Sequence, residues 1–260
     1  MTFVTFGDVS LTRDRHLGFV ELHRPPHNYF DAALLQQLGS AFAACDDDPD
    51  CRAIVLCAEG KSFCAGTDFT KRLDGDTDDR SRAARLYAEA LKLFAARTPV
   101  VAAIQGPAVG GGLGLAMMAD FRVAAPEARF SANFVKIGIH PGFGLTFTLP
   151  RAIGPQRASL LFYTGRRIDG AEALGWGLID VLSPLDRLRE AATALATEIA
   201  ESAPLAVQST RVTMRRDILA ALAAQLDHEL AEQSRLRSTD DHREGVRAVS
   251  ERRPAQFVCR

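Results

Sequence analysis

Two short apolar runs, each followed by a glycine-rich stretch, constrain the fold of this chain more than any other feature of its sequence. The runs are CRAIVLCA (51–58) and PVVAAIQG (99–106), and their partly β-branched composition predicts buried strands. A helical stretch lies between them, at residues 80–96. Because buried strands that alternate with helices form right-handed crossover units, the sequence predicts an α/β fold. A third such strand is expected at DFRVAA (120–125).

The N-terminal segment is predicted to form a β-hairpin followed by a helix. Residues 2–13 and 16–22 are expected to be its two strands, at the edge of the sheet. Asp31 suits the first turn of a helix, and apolar residues recur after it at helical spacing. These residues are Leu34, Leu35, Leu38 and Phe42. The sequence therefore predicts one amphipathic helix that ends at the acidic DDDPD.

The C-terminal third is predicted to be mostly helical. The pattern becomes helical after Pro155, and a long stretch over residues 186–252 is interrupted near Pro204. Paired charges in this tail are typical of a solvated helical face. Its apolar positions also suit packing against another subunit, so both interpretations remain open. These positions include Leu219, Leu222 and Leu226.

Composition excludes several classes of protein. The 260 residues include 31 Lys and Arg against 32 Asp and Glu, so no broad basic surface is available for nucleic acid. The cysteines are odd in number and none is spaced as CxxC, so neither a disulfide framework nor a zinc site is predicted. They are Cys45, Cys51, Cys57, Cys64 and Cys259. Without a signal pattern or an apolar stretch that could span a bilayer, we expect a soluble, cytoplasmic protein.

The two glycine-rich stretches, 60–69 and 106–120, are predicted to form one binding site. In an open α/β sheet, ligands bind at the carboxyl ends of the strands. Gly110, Gly111 and Gly112 precede the apolar segment LGLAMMA, which predicts a helix. Unpaired N–H groups at a helix N-terminus favour negative charge, so a developing oxyanion fits there. Glycines that only allow close packing of helix and strand explain this segment, taken alone, equally well.

Neither stretch completes a known phosphate-binding motif. The residues GKS at 60–62 match the end of a P-loop, but Val55 stands where that motif requires a glycine. A dinucleotide-binding fingerprint that begins at Gly110 requires glycine or alanine where Leu115 stands, and one that begins at Gly112 meets a methionine at the corresponding position. Both nucleotide-binding interpretations therefore fail.

Two segments resemble, in order and separation, the oxyanion-hole motifs of the crotonase (enoyl-CoA hydratase/isomerase) superfamily. SFCAGTD (62–68) is similar to the first motif, and PAVGGGLGLAMMAD (107–120) is similar to the second. Three further segments match that family, so the resemblance covers nearly the whole chain. They are HRPPHNYFD (23–31), KIGIHPGFGLTFTLPRAIG (136–154) and AEALGWGLIDVL (171–182).

The resemblance implies an α/β fold with a crotonase-like ββα-superhelix core and a C-terminal helical trimerisation region. We expect residues 1–200 to form the acyl-CoA-binding core and residues 201–260 to form the oligomerisation region. The substrate implied is an acyl-CoA thioester, with coenzyme A present only as part of the substrate and no metal or resident cofactor. The assembly implied is a homotrimer or a homohexamer.

Carried over by position, the resemblance makes the backbone N–H groups of Thr67 and Gly111 the two donors to the thioester oxygen. Chemistry at the α and β carbons of a thioester collects negative charge on that oxygen, and removing one donor from a comparable hole costs roughly 3 to 4 kcal/mol. Coenzyme A is expected along the 62–70 loop. The implied contact residues are Ala65, Thr67, Asp68, Phe69, Thr70 and Gly111.

The chain departs from the family pattern at its acidic residues. Hydratases of the family usually carry two glutamates, where this chain has Gly114 and Phe134. Other members have an aspartate at the position of Gly142. His140 is the remaining titratable candidate for the catalytic proton carrier, because an imidazole can exchange protons near neutral pH. A loop histidine that hydrogen-bonds the backbone is the alternative.

Four other residues are open to a functional and a structural interpretation. Asp68 is a possible base, although a short carboxylate there also suits a cap or a loop brace. Cys64 is a possible nucleophile or a small buried thiol. Tyr87 can meet the acyl group or simply pack, and His27 can approach coenzyme A or belong to a surface turn.

Three functions remain open at this point. The leading one is a lyase or isomerase that acts on an enoyl-CoA or related acyl-CoA through an enolate-like intermediate. A second is hydrolysis, decarboxylation or carbon–carbon cleavage on the same scaffold. A third is a protein that binds acyl-CoA without efficient catalysis, which the missing carboxylates favour.

Overall fold

The strands of the chain form a large and a small sheet. The computed structural model describes residues 2–68 and 79–260. The strands are β1 (Thr2–Phe6), β2 (Val9–Asp14), β3 (Leu17–Leu22), β4 (Ala53–Ala58), β5 (Val100–Ile104), β6 (Pro107–Val109), β7 (Phe121–Ala124), β8 (Arg129–Ser131), β9 (Arg167–Asp169) and β10 (Val181–Leu182). The large sheet has the order β1-β2-β3-β4-β5-β7-β10, and the small sheet has the order β6-β8-β9.

Helices connect these strands and make up most of the C-terminal third. They are α1 (Ala32–Asp46), α2 (Asp79–Phe94), α3 (Gly111–Met118), α4 (Leu145–Ile153), α5 (Pro155–Thr164), α6 (Gly170–Trp176), α7 (Leu188–Ala200), α8 (Pro204–Arg215), α9 (Ile218–Arg237) and α10 (Asp240–Ser250). Short 3-10 turns lie at Asn133–Ile137 and Leu185–Arg187. Within the described ranges, no helix is both long enough and apolar enough to cross a membrane.

The parallel half of the large sheet explains the apolar runs in the sequence. β4 pairs in parallel with β3 and β5, and β5 pairs in parallel with β7. Side chains of β4 alternate between two cores, with Ile54 and Leu56 in the main core and Val55 and Cys57 in a second core against α7. A strand that is buried on both faces shows no polar alternation, and this confirms the prediction of buried strands.

The N-terminal segment corrects one expectation. Residues 2–13, predicted as a single strand, are the two antiparallel strands β1 and β2, joined by a turn at Gly7 and Asp8. Gly7 has φ +64°, and a Cβ there would overlap the side-chain amide of Gln37. Only glycine tolerates both constraints. The predicted hairpin is therefore a three-stranded antiparallel unit, β1-β2-β3.

The small sheet holds the two glycine-rich stretches together. β6 pairs in parallel with β8, which pairs antiparallel with β9. Cys64, in the first stretch, forms an isolated parallel bridge to Ala108 in β6. Because α3 begins two residues after β6, its N-terminus lies beside the first stretch.

The C-terminal helices pack on the core of their own chain. Leu222 and Leu226 of α9 are 0% and 3% exposed and belong to the main core, and Leu219 packs against its edge. The interpretation that these leucines suit a second subunit is therefore wrong for Leu222 and Leu226, whose surface is already covered, and it stays a prediction for the partly buried Leu219. In contrast, α8 has no buried residue. Whether residues 201–260 form a trimerisation region stays a prediction.

Candidate active site

The two glycine-rich stretches meet at a cavity of about 610 Å³. Thr67 and Gly111 both line it, so the structure brings together the two residues that the sequence predicts as donors. Ala65 and Asp68 line the same cavity. Phe69 and Thr70, the other predicted coenzyme A contacts, lie outside the described residues. Further lining residues used below are Arg24, His27, Phe30, Tyr87, Phe134, Gly142, Phe143 and Gln233.

Backbone hydrogen bonds fix the first stretch against the second. The Cys64 N–H donates to the Pro107 carbonyl at 3.1 Å, and the Val109 N–H donates to the Cys64 carbonyl at 3.0 Å. Gly66 follows with φ +81°, and a Cβ built on it would lie 3.3 Å from the Gly111 nitrogen. The approach is so close that Thr67, the next residue, must lie beside the start of α3.

The start of α3 leaves its first N–H available. Gly110 caps the helix, and its carbonyl accepts from the Leu113 and Gly114 N–H groups at 3.1 and 3.2 Å. Gly111 is the first helical residue, so its N–H has no intrahelical acceptor. Over residues 2–68 and 79–260, neither the Gly111 N–H nor the Thr67 N–H donates to a backbone carbonyl. Two backbone donors therefore adjoin one cavity.

A buried asparagine braces the first stretch, and sequence reasoning missed it. Asn28 is fully buried, and its side-chain N–H groups donate to the carbonyls of Glu59 and Ser62 at 2.7 and 2.8 Å. The side chain of Gln105 also donates to the Ser62 carbonyl, at 3.0 Å. Asn28 has φ +49°, a conformation that asparagine tolerates better than most residues. An asparagine shortly after two prolines was therefore the sequence signal for a turn at this position.

The first stretch and the segment around His27 line the cavity together. The Ala65 N–H donates to the His27 carbonyl at 2.9 Å, and Nδ1 of His27 lies 3.5 Å from Oγ of Ser62. Arg24 lines the same region and forms an ion pair with Asp8 at 2.7 Å. The structure thus places both His27 and Asp68 at the cavity rather than on a remote surface turn.

Aromatic side chains occupy the two positions where the resemblance predicts that glutamates are missing. A Cβ built on Gly114 would lie 2.7 Å from Cβ of Phe143. The ring of Phe143 packs on that of Phe30, with ring centroids 5.2 Å apart. Phe134, at the second position, is itself buried at the cavity wall. The cavity wall is therefore apolar at both positions.

Phe143 adopts an unusual backbone conformation at this wall. Its φ of +62° lies in the left-handed region, which is rare for a bulky side chain and costs of order 1–3 kcal/mol. The following residue, Gly144, also has a positive φ, of +72°. With this backbone conformation the Phe143 side chain contacts Gly114 and Phe30. The strained backbone of Phe143 therefore accompanies the aromatic wall.

The space at Gly142, where the resemblance places an aspartate in other family members, is filled as well. A Cβ built on Gly142 would overlap the Tyr87 hydroxyl and would lie 2.5 Å from Nε2 of Gln233. Tyr87, on α2, is 8% exposed, and Gln233, on α9, is 3% exposed. The structure therefore places Tyr87 at the cavity wall, and it adds Gln233, which no sequence pattern indicated.

His140 lies outside the cavity lining. Its Nδ1 is 2.7 Å from the Pro141 carbonyl oxygen, and its ring packs edge-on against His228, with centroids 5.8 Å apart. This arrangement matches the alternative of a loop histidine that hydrogen-bonds the backbone. Its position gives no support to a direct proton transfer to the substrate.

Cys64 is a buried thiol rather than a nucleophile. Its Sγ lies 3.1 Å from the Asn28 carbonyl, and the side chain is fully buried. Burial raises the pKa of the thiol to about 12, so the reactive thiolate is scarce at neutral pH.

A buried carboxylate, that of Glu229, binds the backbone just after Gly142 and Phe143. Glu229 of α9 accepts hydrogen bonds from the Gly144 N–H at 2.7 Å and the Thr146 N–H at 3.0 Å. It therefore caps the N-terminus of α4, which has no side-chain cap of its own. Burial raises the pKa of Glu229 to about 7, against the lowering effect of these hydrogen bonds. No local motif predicted this contact.

Comparison with known proteins assigns the family. The family model for enoyl-CoA hydratase/isomerase matches residues 12–260. A Mycobacterium bovis protein named Probable enoyl-CoA hydratase is 36% identical over 258 residues, 99% of this chain and 100% of that protein. Carnitinyl-CoA dehydratase of Proteus mirabilis is 33% identical over 244 residues, 92% of this chain and 94% of that protein. A crystal structure of enoyl-CoA hydratase/isomerase from Pseudoalteromonas atlantica has a TM-score of 0.88 at 26% identity, covering 97% of this chain and 100% of that one.

The fold is of the crotonase type, and the predicted α/β fold class is confirmed. The chain belongs to the enoyl-CoA hydratase/isomerase family. It is an enoyl-CoA hydratase/isomerase-like enzyme of a family that acts on acyl-CoA substrates.

Proposed function

We propose that this enzyme binds an acyl-CoA or enoyl-CoA thioester with its carbonyl oxygen between the N–H groups of Thr67 and Gly111. The observation that carries the proposal is the close approach of Gly66 to the Gly111 nitrogen, beside two N–H groups that donate to no backbone carbonyl among the described residues. Preorganised donors of this kind stabilise the enolate-like charge that develops on a thioester oxygen. They do so without help from a metal.

We further propose that coenzyme A enters along the first glycine-rich stretch. Ala65 and Asp68 line the cavity there, and Arg24 and His27 line the same cavity. A guanidinium and an imidazole in its lining favour the approach of a phosphorylated ligand. The expected contacts of Phe69 and Thr70 belong to the same proposal. Coenzyme A is part of the substrate here, not a resident cofactor.

The apolar wall limits which reaction follows. Adding water across a double bond requires groups that give and take protons around that water, and Gly114 and Phe134 supply none. We therefore propose an enolate-forming reaction that places fewer demands on held water, such as isomerisation. A proton carrier other than a direct His140 contact is needed, because His140 lies outside the cavity lining.

Decarboxylation or carbon–carbon cleavage is the second candidate function. The observation that favours it is the aromatic wall of Phe30, Phe134 and Phe143, because an apolar wall excludes water from the reacting group. Loss of a carboxylate or a carbonyl fragment also proceeds through an enolate, which the two N–H groups would stabilise. Hydrolysis on this scaffold, and acyl-CoA binding without efficient catalysis, are the remaining alternatives.

A panel of acyl-CoA thioesters tests these functions. The panel contains 2-enoyl, 3-enoyl, 3-oxoacyl, 2-carboxyacyl and saturated acyl-CoA esters, and mass spectrometry identifies the products. We expect 3-enoyl-CoA or 2-carboxyacyl-CoA to be consumed faster than 2-enoyl-CoA is hydrated. If every thioester binds and none is converted, the result supports acyl-CoA binding without efficient catalysis. If none of the thioesters binds, the result refutes the proposed function.

We also propose that the protein assembles as a homotrimer or homohexamer in the cytoplasm. The support is α8, on which Leu205 and Val212, seven residues apart on one face, are 80% and 60% exposed while no residue of that helix is buried. An amphipathic helix with such a face gains stability when another subunit covers it.

A further inference from the structure

Two buried thiols meet where α1 ends and β4 begins. Cys45 lies in the last turn of α1, and Cys51 lies two residues before β4. The two residues are 0% and 4% exposed, and both carry free thiols. Only the acidic segment 46–50 separates them in the chain. Neither residue lines the cavity, so nothing in the proposed function accounts for this pair.

Gly18 is the point at which the two sulfur atoms meet. A Cβ built on Gly18 would lie 2.8 Å from Sγ of Cys45 and 3.1 Å from Sγ of Cys51. Two sulfurs this close to one point are neighbours, and the two thiols hydrogen-bond to each other. A side chain at residue 18 would press against both sulfurs. Glycine at this position therefore keeps the thiols in contact.

This contact brings the pair close to the arrangement of a disulfide. An S–S bond is about 2 Å long, so thiols that already hydrogen-bond to each other approach it by small side-chain rotations. The bond would close a loop over residues 46–50, of which Asp47, Pro49 and Asp50 are exposed. An exposed loop can adjust without loss of core packing, and its local opening admits a small solute to the sulfurs.

The charge around the pair favours a thiolate on Cys51. Arg13 lies beside it, held by an ion pair with Asp48 and by donation from Nη2 to the Ala44 carbonyl at 2.5 Å. The hydrogen bond with Cys45 lowers the pKa of Cys51 against the effect of burial, and the charge of Arg13 lowers it further. Because the thiolate is the reactive form of cysteine, Cys51 is the attacking sulfur and Cys45 is the resolving one.

Two other buried cysteines lack these features and serve as internal controls. Sγ of Cys57 lies 3.7 Å from the Val20 carbonyl oxygen, and Sγ of Cys64 lies 3.1 Å from the Asn28 carbonyl oxygen. Burial raises the pKa of each thiol to about 12. Each therefore donates to a backbone carbonyl rather than to a second sulfur, and the reactive thiolate of each is scarce.

We propose that Cys45 and Cys51 are an oxidation site, at which hydrogen peroxide joins the two thiols in a reversible intramolecular disulfide. The Cys51 thiolate attacks one oxygen of the peroxide and breaks the O–O bond, which leaves a sulfenic acid on Cys51 and releases hydroxide. That hydroxide takes up the proton that Cys51 had lost. Sγ of Cys45 then displaces the sulfenic oxygen, which leaves as a second water with the Cys45 proton. Two thiols and one peroxide thus give one disulfide and two waters.

Proteolysis at the aspartates of segment 46–50 detects the bond directly. A protease that cleaves before aspartate separates Cys45 from Cys51 unless a disulfide joins the fragments. The full-length protein is treated with hydrogen peroxide, alkylated under denaturing conditions, digested, and mapped by mass spectrometry with and without dithiothreitol. We expect the two fragments to be joined before reduction and separate after it. The pair should oxidise at least about tenfold faster than Cys57 or Cys64, because their thiolates are far scarcer.

Variants identify the attacking sulfur and the effect of charge. Cys45→Ala should leave a sulfenic acid on Cys51 that dimedone traps, whereas Cys51→Ala should leave Cys45 as slow to react as Cys57. Arg13→Gln should slow disulfide formation about threefold or more, and Arg13→Lys should retain most of the wild-type rate. Circular dichroism checks that each variant is folded.

The exposed Cys259 shows whether the oxidant acts. If Cys259 of the wild-type protein is oxidised while the Cys45 and Cys51 fragments stay separate, the inference is overturned without any variant. Oxidation of Cys57 or Cys64 at the same rate as the pair, or a bond that forms only in urea, also overturns it. None of these measurements involves acyl-CoA, so the result is independent of the proposed function.

Discussion

Glu229 makes the stability of this protein depend on pH in an unusual direction. The side chain is fully buried, and burial raises its pKa from 4.5 to about 7. Between these values the folded protein keeps the proton on Glu229, whereas the unfolded chain has lost it. The folded state therefore binds more protons, and the free energy of unfolding falls as pH rises through that range.

The magnitude follows from the size of the pKa shift. The rise in pKa from 4.5 to about 7 corresponds to about 3.5 kcal/mol, because a pKa difference of one is worth about 1.4 kcal/mol. This contribution is present in full below pH 4.5 and is lost as pH rises through about 7. Carboxylates with lowered pKa values, such as Glu244, have the opposite effect, because their contribution to stability is lost as pH falls in a more acidic range. The pH dependence due to Glu229 can therefore be measured separately from theirs.

Glu229→Gln isolates this contribution, because the glutamine cannot titrate. We expect the difference in unfolding free energy between wild type and Glu229→Gln to fall by about 2.5 kcal/mol from pH 5 to pH 8, because part of the change takes place below pH 5. Urea denaturation at a fixed protein concentration measures it, and groups common to both proteins cancel. Glu232→Gln, on the same helix, is the matched control and should show no such change. Parallel pH profiles for wild type and Glu229→Gln would refute the reasoning.

The remaining predictions concern hydration, His140 and assembly. Hydration of crotonyl-CoA should be slower by roughly a hundred- to ten-thousand-fold than in a family hydratase with both glutamates, assayed in parallel, and comparable rates contradict the reading of Gly114 and Phe134. His140→Ala should lower turnover of the best thioester by less than about threefold, because the ring lies outside the cavity lining. A loss of turnover of roughly a hundredfold or more, typical of general acid–base catalysis, would instead show that His140 is the proton carrier. Light scattering should give a trimer or hexamer that Leu205→Asp weakens, and a wild-type monomer at micromolar concentration contradicts the assembly.

Sequence patterns predicted the strands that are buried on both faces and the helix that is capped by a neighbouring residue. β4 and β5 are recognisable because both of their faces are buried, and α1 because Asp31 caps it by accepting from the Leu34 N–H at 2.8 Å. The turn at Gly7 was missed because β1 and β2 together resemble one alternating strand. The glycine-rich stretches were linked correctly, since both follow buried strands and meet at one cavity.

Long-range contacts explain what the sequence left undetermined. Nothing near Gln233 or Glu229 indicates that these residues reach the loop at 142–144, because the direction of α9 decides that contact. Apolar periodicity marks Leu222 as buried but does not indicate whether its own core or another subunit covers it. His140 had the right chemistry for a proton carrier, but its ring contacts the Pro141 carbonyl and His228 and lies outside the cavity lining. Residue type alone predicts neither fact.

One pair of variants tests the proposed oxyanion hole most directly. Thr67→Pro removes the backbone N–H of residue 67, whereas Thr67→Ala keeps it and removes only the side chain. We expect turnover of the best thioester substrate to fall by about a hundred- to a thousand-fold in folded Thr67→Pro and to stay within about threefold of wild type in Thr67→Ala. Full activity in a folded Thr67→Pro protein, or an equal loss in both variants, would contradict the assignment of the Thr67 N–H to the thioester oxygen.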